Sequence, residues 1–252
     1  VGSGPHLAVN NVSLTSANAT LGLIAPGQGP VSLQINATQD AIIGSDSSVG
    51  LLDPSSAGGD LQLAVNGDLS LSGPLSVGNT IALNVLANLD IAPSAGPTFQ
   101  GDALSLQVGS FSGSPITTNV SQLAGFSPTS LLIDQTSSTP LSVSTVNGVS
   151  GLSTSGLVTL TTQGPLTVNS AVNGVIVNLL SISGDIALNA PVNASSIVNV
   201  DALNGSLGLN ALVHSDTIQL LASGNMTGLG DVTANTITLT SGNEMNVRVD
   251  AP

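Results

Sequence analysis

The chain of 252 residues contains no Cys, Trp or Tyr, and its only basic residue apart from His6 and His214 is Arg248. Each absence removes a class of chemistry. Without Cys there is no disulfide, and no thiolate to attack a substrate or hold a metal. One Arg against 14 Asp and Glu gives a formal net charge of −13, which repels polyanions and excludes nucleic acid as a partner. Phe99, Phe111 and Phe126 are the only aromatic rings, too few for a platform on which bases stack or for the girdles of an outer-membrane barrel. No stretch of about 18 apolar residues runs free of polar interruption, so no membrane insertion is expected. The first residue is Val1 rather than Met and no signal-peptide pattern follows it, so the chain reads as a mature or excised segment.

What is present is aliphatic and polar rather than charged. Hydrophobic residues make up 41% of the chain and charged residues 6%, whereas ordinary globular domains carry about a quarter charged. Disorder needs low hydrophobicity with high charge, the opposite of this balance. A thin interior filled by Val, Ile, Leu and Ala alone fits it, as in a coil of stacked strands.

The chain also repeats itself. Gly followed by a short apolar run returns as "GPLTVN" at Gly164, "GDIALN" at Gly184, "GSLGLN" at Gly205, "GNMTGL" at Gly224 and, more weakly, "GNEMNV" at Gly242. A second run recurs as "LVTLTT" at Leu157, "IVNLLS" at Ile176, "IVNVDA" at Ile197, "IQLLAS" at Ile218 and "ITLTSG" at Ile237. A third is centred on Val172, Val192, Val213 and Val232. A step of roughly 20 residues lies in the solenoid range, and period-2 alternation with turn punctuation gives three short strands per repeat.

The N-terminal half keeps the period with more drift. "LGLIAP" at Leu21, "AIIGSD" at Ala41, "LQLAVN" at Leu61 and "IALNVL" at Ile81 form one series, and "LSLSG" at Leu69 is answered by "LDIAP" at Leu89. Between about 97 and 156 the step lengthens to roughly 27 residues, which predicts irregular coils with inserted loops. The three Phe are expected to form a small cluster under those loops.

The expected fold is therefore all-β: a right-handed parallel β-helix (β-solenoid) of about 11 coils of roughly 20 residues, a single domain over residues 1–252 with looser looped coils over 97–156. At about 4.8 Å per coil the rod would be roughly 50 Å long. Ile186, Leu207 and Met226 are expected to stack inward as one row, and Ile176, Ile197, Ile218 and Ile237 as another. Asn169, Asn189 and Asn210 share one repeat position and Asn178 and Asn199 another, so their amides are placed to form hydrogen-bonded ladders along the axis.

The segments "GDLSLSG", "GDIALN" and "NLDIA", with the period near 20 and the poverty of Lys, Arg and aromatics, resemble the haemagglutinin-type repeats of filamentous haemagglutinin and related secreted exoproteins and, more loosely, autotransporter passenger domains. The "NPNG"-type motif of the exoprotein secretion domain is missing. The resemblance implies a parallel β-helix at a bacterial cell surface, serving as an adhesin or as the shaft that presents one, and it carries over no catalytic residues.

The reactive inventory is small. Serine-based nucleophilic catalysis requires a partnered His; His6 lies near one end, and His214 falls in the repeat position of Asn193 and Thr233, a polar turn row. Paired carboxylates are the one catalytic site type that the composition could supply, at about 5 to 9.5 Å apart for a glycosidase. Here Asp185 aligns with Pro165 and Ser206, while Asp201 and Asp216 fall in other parts of their coil, so neighbouring coils are not expected to stack carboxylates. Asp60, Asp68, Asp102, Asp185 and Asp231 each follow a Gly, where turn geometry favours Asp structurally. The "GGxGxD" calcium repeat is absent, with only a partial echo in "GGDLQL" at Gly58. Several N-x-S/T triplets, including those at Asn11, Asn18, Asn36 and Asn193, arise readily in so Ser- and Thr-rich a chain.

No catalytic, cofactor-binding or metal-binding residue and no cofactor are assigned. The expected function is non-catalytic and structural: an extracellular or cell-surface β-solenoid rod or filament element that self-assembles and acts in adhesion. A carbohydrate-binding or carbohydrate-cleaving β-helix is the alternative. An ice-binding face is the weakest, because "TIT" at Thr236 and "TLT" at Thr238 do not repeat coil after coil. Partners follow from the same reading: copies of itself or further solenoid coils end to end, and host or surface glycans. Neither "VGSGPHLAVNNVSLTS" nor "ITLTSGNEMNVRVDAP" has the helical period or charge cluster of a cap, with Arg248 and Pro252 as weak gatekeepers.

Overall fold

The computed structural model describes residues 6–7, 11–23, 30–92, 96–113 and 115–250. The expectations for Val1 and Pro252 lie outside these. All regular structure is β, with no helix among the described residues. The fold is a parallel β-solenoid with about 11 turns of about 20 residues, divided into two compact units, Val1–Val120 and Ser121–Pro252.

In the first unit, "LQLAVNGDLSLSGPLSV" shows how sequence becomes coil. Gly67-Asp68 and Gly73-Pro74 interrupt the chain at the turns, leaving strands Leu61–Val65, Leu69–Leu71 and Leu75–Val77, each alternating buried and exposed residues. Each strand has a parallel partner on both sides. Leu61 lies between Ala41 and Ile81, Leu69 between Val49 and Leu89, and Leu75 between Ser55 and Phe99. This ladder satisfies backbone donors and acceptors through neighbouring coils, as a buried main chain must. The series read from the sequence holds at Ala41, Leu61 and Ile81 but not at Leu21: Ala19 is the residue that pairs with Ala41, and Leu21 pairs with Ile43. The displacement is two residues, so the side chain keeps its face.

The second unit repeats more regularly. Leu166, Ile186, Leu207 and Met226 form one buried row, and Val172, Val192, Val213 and Val232 another. Each buried aliphatic side chain contributes about 1.5–3 kcal/mol relative to exposure. The expected isoleucine row is corrected. Ile176 and Ile197 pair with each other, but Ile197 pairs next with Thr217, and Ile218 stacks instead on Val198 and Val177. Ile176 and Ile197 thus face outward, and the inward row is Val158, Val177, Val198 and Ile218, all buried. Alternation explains the shift: in "IVNVDA" the polar Asn199 and Asp201 must share a face with Ile197, leaving Val198, Val200 and Ala202 inside.

The lengthened step within the second unit has a definite cause. Strand Gln122–Ser127 pairs through Leu123 with Val143 and through Gly125 with Leu152. Between those two partners the chain leaves the coil as an antiparallel hairpin, Thr145–Val146 with Val149–Ser150. Asn147 and Gly148, at φ +48° and +82°, form its turn, the Asn-Gly pair that a two-residue primed turn selects. The expected Phe cluster is not how these rings are placed. Phe99 is fully buried in the coil interior, between Leu75 and Thr118, whereas Phe126 faces outward and is 47% exposed.

Candidate functional site

With inward positions mainly aliphatic and interspersed with a few buried Ser, Thr and Gln residues such as Thr118, Gln135 and Thr162, any function falls to the outward rows and the turns. Their polar groups bond mainly to the neighbouring coil. Asn189 donates to Asn169 Oδ1 at 3.0 Å and Asn210 to Asn189 Oδ1 at 2.9 Å. In the second row Asn199 donates to Asn178 Oδ1 at 2.8 Å. Both ladders match the sequence reading, and a third, Asn193 to Asn173 at 3.0 Å, was not anticipated.

The turns carry a related device. Asn18 Oδ1 accepts the Asp40 N–H, Asp40 Oδ1 accepts that of Asp60 at 2.8 Å, and Asp60 Oδ1 that of Thr80 at 3.0 Å. In the second unit Asp185 Oδ1 accepts the Ser206 N–H at 2.7 Å, Ser206 Oγ that of Asn225, and Asn225 Oδ1 that of Glu244. In each case the acceptor residue immediately precedes a strand and holds the same position one coil on. The expectation that neighbouring coils do not stack carboxylates is corrected here: Asp40 and Asp60 lie in adjacent coils. Their stacking is structural, since each carboxylate serves the next backbone N–H, a charge-assisted bond.

The turn reading of Asp60, Asp68 and Asp185 holds, with Asp68 Oδ1 accepting the Asn88 N–H at 3.0 Å. Asp231 departs from it. It lies within strand Met226–Thr233 and pairs with Arg248, Nε to Oδ1 at 2.9 Å. Asp134 was not singled out in the sequence, and Asp201 was read only as lying apart from Asp185 in its coil. Each has a buried Oδ1 with no hydrogen-bond partner. Asp201 sits in an outward row between Leu180 and Leu221, and burial pushes its carboxyl above the usual value. The signal was available in "NLL", "NVD" and "QLL" at successive repeats.

His214 occupies the row of Asn193 and Thr233, as read, and is exposed. The side chain of His6 lies outside the described residues. No group of three or more His, Asp or Glu that could hold a metal exists among the described residues, and no helix is long and apolar enough to cross a membrane. Two of the glycosylation triplets have engaged amides: Asn18 Nδ2 donates to Gln39 Oε1 at 2.9 Å and Asn193 Nδ2 to Asn173. Comparisons with protein-family models, curated proteins and solved structures found no match.

Proposed function

We propose that this chain is a non-catalytic structural protein, an extracellular or cell-surface rod or fibre element that extends end to end and offers its flanks for adhesion. The observation that carries this reading is the use made of polar side chains. Asn, Asp and Ser in the outward rows and turns bond coil to coil, so they reinforce the axis rather than converge on a point where a substrate would sit. The sequence pattern's resemblance to haemagglutinin-type repeats supports the cell-surface location and the adhesin role. Near-absence of Lys and Arg, which denies trypsin-like proteases their sites, fits an exposed setting. Host or surface glycans are the flank ligands this reading favours.

The test is direct. Purified chain is imaged by electron microscopy and incubated with neutral and acidic polysaccharides, following retention on immobilised glycans and release of reducing ends. Narrow rods, no release of reducing ends, and binding unchanged in His214→Ala are expected. Release of reducing ends that disappears on replacing Asp134 or Asp201 with Asn would overturn the reading in favour of a carbohydrate-cleaving β-helix.

A further inference from the structure

One outward row of the second unit is not closed along the axis. It runs through Phe126, Ser153, Asn173 and Asn193, one residue from each of successive coils. The two other amide ladders each end below on a hydroxyl: Asn169 Nδ2 donates to Ser142 Oγ at 3.0 Å, and Asn178 Nδ2 to Thr159 Oγ1 at 3.4 Å. Here Asn193 donates to Asn173 Oδ1 at 3.0 Å, and Ser153 lies directly beneath Asn173. Yet neither the Asn173 Nδ2 group nor the Ser153 hydroxyl has a partner among the described residues. Both are half-buried on the outer face, so their hydrogen-bonding capacity is left to solvent or to a ligand.

Beside these free groups stands a ring. Phe126 lies next below Ser153 in the row, faces outward and is 47% exposed. No other aromatic ring among the described residues packs on it. An aromatic face left in water gains free energy when an apolar surface covers it. None of Phe126, Ser153, Asn173 and Asn193 carries a charge. At about 4.8 Å per coil, the ring, the hydroxyl and the amide span about 10 Å, longer than a single pyranose ring.

We infer that Phe126, Ser153 and Asn173 form a binding site for a neutral oligosaccharide of two or more sugars. The apolar C–H face of one pyranose lies on the Phe126 ring. Hydroxyls of that sugar and the next bond the Ser153 hydroxyl and accept from Asn173 Nδ2, so the glycan runs along the row. A formal net charge of −13, with the one Arg already paired to Asp231, leaves nothing to hold a carboxylate or sulfate, which sets the ligand class as neutral. No Asp or Glu stands in these four positions, so the site holds the sugar without the paired carboxylates that cleavage needs. This inference deepens the glycan-adhesion part of the reading above and rests on it.

The test is an NMR titration of the purified chain with cellohexaose, chitohexaose, laminarihexaose and mannohexaose. At least one should bind. Phe126→Ala should weaken that binding about tenfold, and Ser153→Ala and Asn173→Ala each about threefold or more. Phe126→Leu keeps apolar bulk at an exposed position without the flat ring and should lose as much as Phe126→Ala, whereas Phe126→Tyr keeps the ring and should stay within about twofold of the parent. Asn210→Ala, in a different ladder, should bind as the parent does. Hexagalacturonate should bind about tenfold more weakly than the best neutral sugar. No binding of any of the four, binding unchanged in Phe126→Ala and Phe126→Leu, or tighter binding of hexagalacturonate would overturn the inference. A chain that binds none of these sugars and releases no reducing ends loses this site and keeps its structural reading, whereas release of reducing ends removes the reading itself.

Discussion

Asn189 stands between two amides, donating to Asn169 Oδ1 at 3.0 Å and accepting from Asn210 at 2.9 Å. Removing the middle of such a row breaks two bonds, and removing the upper member breaks one. In exposed positions each bond is worth the lower end of the usual net range, so Asn189→Ala should cost about 1 kcal/mol and Asn210→Ala about half that. Urea denaturation of the two variants measures the ratio. Equal losses would mean that the ladder is geometry without energy.

The two sides of a strand should respond oppositely to a charge. Leu207 is fully buried between Ile186 and Met226, and Leu207→Asp should cost several kcal/mol, about 3 or more, because an unpaired carboxylate is buried. Ile197 looks equally apolar in sequence but faces outward beside Ile176 and Thr217. Ile197→Asp should cost about 1 kcal/mol or less. Thermal melts of the pair decide the register: comparable losses would put Ile197 back inside.

That contrast also marks how far the sequence could be read. Residue identity at a fixed step located the coils and the Asn ladders, because a ladder needs the same amide in every coil. The same habit misplaced Ile218, since Ile in "IVNV" and Ile in "TIQL" fall on opposite faces and only the alternation with Asn199 and Gln219 tells them apart. The hairpin was not legible from "VNGV" alone: at Val146–Val149 the Asn-Gly pair makes a primed turn, whereas the same four residues at Val172–Val175 lie within the parallel strand Val172–Ser181. Asp40 and Asp60 share a 20-residue step in "QDAIIG" and "GDLQLA". Their stacking is hard to see in the sequence because the row changes identity at both ends, to Asn18 below and Thr80 above, and Asp40 follows Gln39 rather than a Gly. No convergent site was legible because Thr, Asn and Leu in the outward rows answer first to their neighbours along the axis, and that role leaves no mark of a ligand.

Backbone constraint can be separated from crowding at two glycines three residues apart, on either side of strand Val149–Ser150. Gly148 adopts φ +82° in open space, whereas Gly151 adopts φ +68° and a Cβ there would collide with the Ala171 carbonyl of the next coil. Gly148→Ala should therefore cost only the left-handed penalty, about 1–2 kcal/mol. Gly151→Ala must also separate two coils and should cost about 1–3 kcal/mol beyond that. Denaturation midpoints of the two variants test the order, and a reversed order would show that the hairpin, not the coil contact, limits this region.

Asp201 gives the chain a pH-dependent weakness. Its carboxyl lies between Leu180 and Leu221, and burial raises its pKa above the ordinary value of 3.8. The folded state then binds this proton more tightly than the unfolded chain, so the contribution of Asp201 to stability falls as pH rises from 3.8 to the raised value. Above that window the cost of holding the charge is constant. Below 3.8 both states are protonated and the cost vanishes. Because the group is only partly buried, solvent screening keeps the effect small. Asp201→Asn, which cannot ionise, should melt slightly above the parent at neutral pH, with the gap closing as pH drops below the window. Measuring both proteins in parallel cancels the relief of general acidic repulsion, which they share. A gap that stayed constant with pH, or a variant less stable at neutral pH, would mean that the Asp201 carboxylate is stabilised by its surroundings rather than strained by them.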